Sequence, residues 1–227
     1  MRHFLLLQVN DSLFPIGGYS HSYGLETYIQ KGLVTDTSQA WEFIKCRMLY
    51  GFCYNEFLAA RLAYEAGVKH DMTMLNRIED VLDAGRIPME TRDAAKKLGS
   101  RFVKTMSGMD IPYTSDIYSI YCRERKKKSM THSVVYGVFC AAAGIGCEEA
   151  MDNFLYAQAS AMVTNCVKTI PISQTAGQQL LYRCGELFME ILARLDALTE
   201  DDLCLSTPGF DIRCMQHEGL YSRLYMS

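Results

Sequence analysis

The chain has 227 residues, 49% of them apolar, with 23 Lys and Arg against 26 Asp and Glu and a formal net charge of −3. That supplies a sizeable core for a single domain spanning 1–227, and the balanced charge excludes the basic footprint of a nucleic-acid binder. Nine cysteines are scattered with no Cys-x-x-Cys pair, which excludes a disulfide framework and reads as reduced thiols of a cytoplasmic protein packed as small hydrophobes.

Phe4–Leu7 is apolar but too short for a secretory h-region. The longest uncharged window, Ser129–Cys147, carries His132, hydroxyls and glycines, so it predicts a buried helix and no membrane span. Residues 1–24 form an N-terminal segment and loop whose last part, with Leu25-Glu26, is the densest run of turn-forming and aromatic residues in the chain. Pro15 fixes φ, and Gly17, Gly18 and Gly24 permit positive φ or close backbone approach. Phe14, Tyr19 and Tyr23 supply large faces. A P-loop needs Lys-Ser/Thr where Leu25-Glu26 stands, and the glycines lack dinucleotide spacing. The stretch therefore reads as a shaped aromatic loop that closes a helical core or meets a partner.

Leu25–Gln30 predicts a short helix. Asp36, with Gln39 three residues on, is a capping-box arrangement that opens the strongest periodic signal. Phe43, Cys46, Tyr50, Cys53, Phe57, Ala60 and Tyr64 lie on one face of a helix of about eight turns. A second stripe, Trp41, Ile44, Met48 and Phe52, makes that helix apolar around much of its circumference, so other helices enclose it. Further helices are predicted over 68–84, 88–109, 115–125, 134–143, 148–168 and 173–197, punctuated by Gly85, Pro88, Pro112, Gly144 and Pro171. The basic run Arg123–Lys128 reads as a solvated helix end or a patch for an acidic partner. Gln158 and Asn165 interrupt an apolar stripe and need partners across a helix contact. Strand-like alternation is absent. Ser206-Thr207-Pro208-Gly209 ends regular structure, and 203–227 reads as a tail that either orders on a partner or packs on its own bundle. The expected fold is all-α, a bundle of about seven to eight helices with a non-periodic C-terminal tail.

No catalytic constellation is visible. The five histidines (3, 21, 70, 132, 217) do not pair at helical spacing, and no His-Glu-x-x-His, Gly-x-Ser-x-Gly or Ser-x-x-Lys pattern occurs. No catalytic residue, metal site or cofactor is assigned. His21 and His217 keep a second reading open, as metal ligands paired across a two-fold dimer or as residues of a small helical enzyme.

Four blocks, in order along nearly the whole chain, carry a resemblance. These are Leu7-Gln8-Val9 with Phe14–Glu26; Glu90-Thr91-Arg92 with Gly99; His132–Gly137 through Ile145, then Asn165–Gln178 with Lys168, Pro171 and Gln174; and Met215–Glu218 with Tyr221–Ser227. Together they resemble the UreF family of urease accessory proteins; Tyr225 stands where Phe is common in that family. The resemblance implies an all-α, non-catalytic protein, a homodimer, that works with UreD (UreH) and the GTPase UreG to deliver nickel to the urease apoprotein. It implies that the tail orders against UreD and that the loop and helical faces serve the dimer and UreG. The expected partner-binding residues are Phe14, Tyr19, His21, Tyr23, Glu26, Lys168, Gln174, Phe210, Arg213, His217, Tyr221, Arg223, Leu224 and Tyr225. A nickel-binding role for His21 and His217, and an arginine (Arg92, Arg213 or Arg223) supplied in trans to UreG, are the alternatives.

Overall fold

The uncharged window becomes the helix that the rest surround. In the computed structural model, which describes residues 2–205 and 207–227, α8 (His132–Ala142) has Ser133 to Cys140 all buried. It packs against α4 (Leu58–Val68), α6 (Met89–Met106), α7 (Ile117–Glu124), α9 (Cys147–Thr169) and α5 (Met72–Gly85). Small residues set how close the backbones come. A Cβ on Gly137 would stand 2.3 Å from the Ala60 carbonyl oxygen and 2.9 Å from the Tyr64 nitrogen. Only glycine allows that approach.

The helix expected from Asp36 onward is present, as α3 (Thr37–Cys46) running through wide π-type turns (Arg47–Phe57) into α4 without a break. Asp36 caps it through Gln39 N at 2.9 Å, while the Gln39 side chain accepts from Thr35 N at 2.8 Å, one residue earlier than a capping box requires. Both predicted stripes turn inward: Phe43, Cys53, Phe57 and Ala60 are buried, and so are Trp41, Ile44, Met48 and Phe52. The π turns shift the phase, so Tyr50 leaves the stripe and is exposed. Edge-to-face contacts link Phe52 to Phe57 and Phe57 to Phe154, both at 5.9 Å, and Tyr136 stacks on Phe154 at 4.6 Å. Each such side chain contributes about 1.5–3 kcal/mol by burial.

Outside this centre, α10 (Gln174–Ala197) lies along α9 and the α3 rod, capped by Ser173 Oγ on Ala176 N at 3.1 Å. Among the described residues all regular structure is helical, as expected, but the helices number ten with the α3–α4 rod taken as one, against the seven to eight expected. The two not anticipated are α1 (Arg2–Asn10), whose Leu6 and Val9 face α9, and α11 (Pro208–His217) within the supposedly non-periodic tail. Ser206, placed by the sequence reading where regular structure stops, lies outside the described residues. The basic run is also split. Arg125 turns inward and donates to Asn76 Oδ1 at 2.7 Å and the Ser129 carbonyl at 2.8 Å, while Lys126–Lys128 stay exposed. No helix among the described residues is long and apolar enough to cross a membrane.

Candidate interaction surface at the loop and C-terminal latch

The aromatic loop and the C-terminal segment, far apart in sequence, are bonded to each other. Gly24 caps α2 (Leu25–Gln30) with φ 88°, and a Cβ there would meet Cys214 Sγ at 3.0 Å, so glycine fits both the turn and the packing of α11 on α2. Thr27 Oγ1 donates to the Arg213 carbonyl at 2.9 Å. Beyond α11 the chain returns as a strap. Met226 N donates to the Ser20 carbonyl at 2.8 Å, Ser22 N to the Ser227 carbonyl at 2.6 Å, and Gln30 Nε2 to the Ser222 carbonyl at 2.6 Å.

Glu26 is the centre of the latch. Its carboxylate accepts from Leu224 N at 2.7 Å and Tyr225 N at 3.1 Å, and lies 3.1 Å from His217 Nε2. The other ring nitrogen, Nδ1, lies 2.6 Å from Glu90 Oε2, and Glu90 Oε1 accepts from Arg223 Nη1 at 2.6 Å. Carboxylates only accept, so both contacts of His217 are hydrogen bonds when the ring carries both protons. The cluster is buried at His217 and Glu26 and opens to solvent at Arg223. His21 closes the other side, Nδ1 to Ser227 Oγ at 2.9 Å, while its carbonyl accepts from Asn165 Nδ2 at 2.9 Å. Asn165 thus has a partner, but it is a loop carbonyl and not a group across a helix contact, while Gln158 is half-buried and lines the groove beside the loop. Burial, reinforced by the Arg101 and Lys97 cations, pulls the His21 imidazole down to about 4, so its bond to Ser227 is a neutral one. Burial pushes the Tyr225 hydroxyl up to about 12.

Beside the latch, between the loop and α9, runs a groove of about 520 Å³ lined by Phe14, Tyr19, Tyr23, Lys168 and Tyr156 among others. The residues singled out in the sequence thus separate into three kinds. Phe14 packs on Phe102 at 5.6 Å, Tyr23 on Phe52 at 5.1 Å, and His21, Glu26, His217 and Tyr225 are buried in the latch. Phe210 and Arg213 are half-buried, against Tyr28 and Phe43 and over Tyr28 respectively. Exposed are Tyr19 (61%), Tyr221 and Leu224 (67%), together with Arg223, Lys168 and Gln174. Gln174 stands apart, at the start of α10. The sequence reading missed Glu90 as a latch member and Ser227 as the partner of His21, although both lie in the blocks that carried the resemblance. His21 and His217 face Ser227 and two glutamates, and among the described residues no cluster of three or more His, Cys, Asp or Glu is set to hold a metal ion.

Comparisons with known proteins agree on one family. The UreF family model matches residues 34–185. A curated relative, the urease accessory protein UreF of Bacillus sp. (strain TB-90), is 36% identical over 224 residues, covering 98% of this chain and 97% of its own length. On these matches the chain belongs to the UreF family of urease accessory proteins, chaperones without catalytic activity.

Proposed function

We propose that this protein is a scaffold in urease maturation that bridges UreD (UreH) and the GTPase UreG while nickel is inserted into the urease apoprotein. It acts in the cytoplasm, as a homodimer, with 1–227 working as one domain. The observation that carries this reading is the exposure of large apolar side chains on backbone held by buried bonds. Tyr221 and Leu224 project from the strap while Glu26 holds the amides of Leu224 and Tyr225, and Tyr19 projects beside them from the loop. Aromatic and aliphatic anchors on ordered backbone lose little entropy on binding, which favours association. The tail, residues 203–227, with Phe210 and Arg213 on it and Lys168 on α9, forms the surface for UreD. The loop and the exposed helical faces, Gln174 included, serve the dimer and UreG. Arg223, half-exposed at the edge of the latch, is the arginine best placed to reach UreG and modulate its hydrolysis of GTP.

Affinity capture of the tagged chain from cells expressing the urease accessory set tests this. UreD and UreG are recovered with the intact chain, and UreD is lost on Tyr221→Ala combined with Leu224→Ala. Recovery of neither partner by the intact chain would refute the proposal.

A further inference from the structure

Between the π-type turns, the link joining α5 to α6 and the start of α11 lies a small polar cavity of about 40 Å³. Two buried guanidiniums enter it, each with a nitrogen that finds no acceptor among the described residues: Arg47 Nε and Arg86 Nη1. Arg47 is held flat, its guanidinium 5.0 Å from the Phe52 ring and 4.9 Å from the Phe210 ring. Gly51 leaves it room, since a Cβ there would come within 3.2 Å of Arg47 Cδ. Arg86 Nη2 is already committed to Glu56 at 2.8 Å. Asp211, in the first turn of α11, is the other acidic group of the lining, so the formal charges of Arg47, Arg86, Glu56 and Asp211 balance. The acceptors of the lining, Asn55, Glu56 and Asp211 among them, nevertheless leave these two donors unmet.

An unmet donor on a buried charged group costs more than one on a neutral group. A planar carboxylate presents two oxygens in one plane, the geometry to which guanidinium donors are matched. The cavity has room for about three waters at ~10–15 Å³ each, which is the size of a one- or two-carbon carboxylate. Thr207, at the N-terminus of α11, lines the same space and makes no side-chain cap bond, so the partial positive charge of that helix end adds to the attraction.

We propose that this cavity binds a small planar carboxylate, of formate or acetate size, between Arg47 Nε and Arg86 Nη1, and that the bound anion ties α11 to the helical body. The full-length chain is titrated with ¹³C-acetate and ¹³C-formate, reading NMR line width, against chloride at matched ionic strength. Saturable broadening is expected for the wild type. Arg47→Lys, which keeps the cation over the rings but removes the Nε–H, weakens it about tenfold or more, the contribution of one charge-assisted hydrogen bond. Arg86→Lys, which keeps a charge opposite Glu56, does the same; circular dichroism checks that both variants fold, and if one does not, the other decides. No saturable binding by the wild type would mean that the cavity holds water only, and would overturn the proposal. Binding that persists at wild-type affinity in the folded variants would place the anion elsewhere and overturn it equally.

Discussion

Replacing Glu26 by Ala removes the acceptor of two backbone amides and a contact of a buried histidine in one step. Leu224 N and Tyr225 N, now 2.7 and 3.1 Å from the carboxylate, would be left unpaired while the strap stays docked. Hydrogen bonds to a charged acceptor contribute about 1.5–3 kcal/mol each, so the two bonds sum to roughly 3–6 kcal/mol. The loss is capped, because the strap can lift and let water satisfy its amides. What then goes is the docking free energy of the strap, including burial of Tyr225, about 1.5–3 kcal/mol. A loss of about 3 kcal/mol raises the open population roughly a hundredfold. Hydrogen exchange should therefore quicken about a hundredfold at Leu224, Tyr225 and Met226, while the amides of α8 change little. The chain carries its own proteolytic reporter, because trypsin cleaves after Arg223 and that bond lies in the strap. Glu26→Gln, which keeps one carbonyl acceptor, gives a smaller effect, about tenfold. Unchanged exchange and cleavage in Glu26→Ala would show that the strap is held by something other than this carboxylate.

Gly137→Ala gains about 0.5–1 kcal/mol in helix propensity but puts a methyl 2.3 Å from a backbone carbonyl oxygen, where overpacking costs about 1–3 kcal/mol or more. A net loss of about 2 kcal/mol in urea unfolding is expected; a gain would mean that α4 and α8 separate freely. Glu79 is fully buried, and burial raises its carboxyl from 4.5 to about 7 despite bonds from Thr131 N and Tyr121 Oη. A raised folded-state value stabilises below the unfolded value and is lost as pH rises through about 7. Relative to Glu79→Gln, the wild type should therefore lose roughly 2 kcal/mol between pH 5 and 8, and parallel pH profiles would contradict this. His132, packed among Phe102, Tyr136 and Phe154, is lowered to about 4 by burial and then by Arg86. Its contribution is present above about 6.5 and lost as pH falls through 4, so His132→Phe should flatten the acid limb of the stability curve. On the proposed role, Arg223→Ala changes UreG turnover while Arg92→Ala, whose guanidinium donates to the Arg86 carbonyl, does not; equal effects would remove the tail arginine from consideration.

The helices that pack on both sides were legible because burial imposes periodicity. The stripes of α3 and α4, the small-residue run of α8 and the amide of Asn165 all announced their surroundings. The helices missed bury little. Only Leu6 and Val9 of α1 and Cys214 and His217 of α11 are buried, too few to mark a period. Pro208 reads as a stop in the sequence, yet it sits in the first turn of α11, where a missing N–H costs nothing. The latch was invisible for a different reason. Glu26, Glu90, His217 and Ser227 are brought together by tertiary contact alone, and only the family resemblance puts all four in matched blocks. The π-type turns that free Tyr50 and hold Arg47 left no signal in a sequence that reads as one continuous helix.

A scaffold role in maturation is tested by urease activity and bound nickel in cells that carry UreD, UreG and apo-urease, with and without this chain. A scaffold predicts nickel-poor, inactive urease in its absence and recovery with the intact chain, but not with Tyr221→Ala combined with Leu224→Ala. Full nickel loading without the chain, or full rescue by that double variant, would contradict the account.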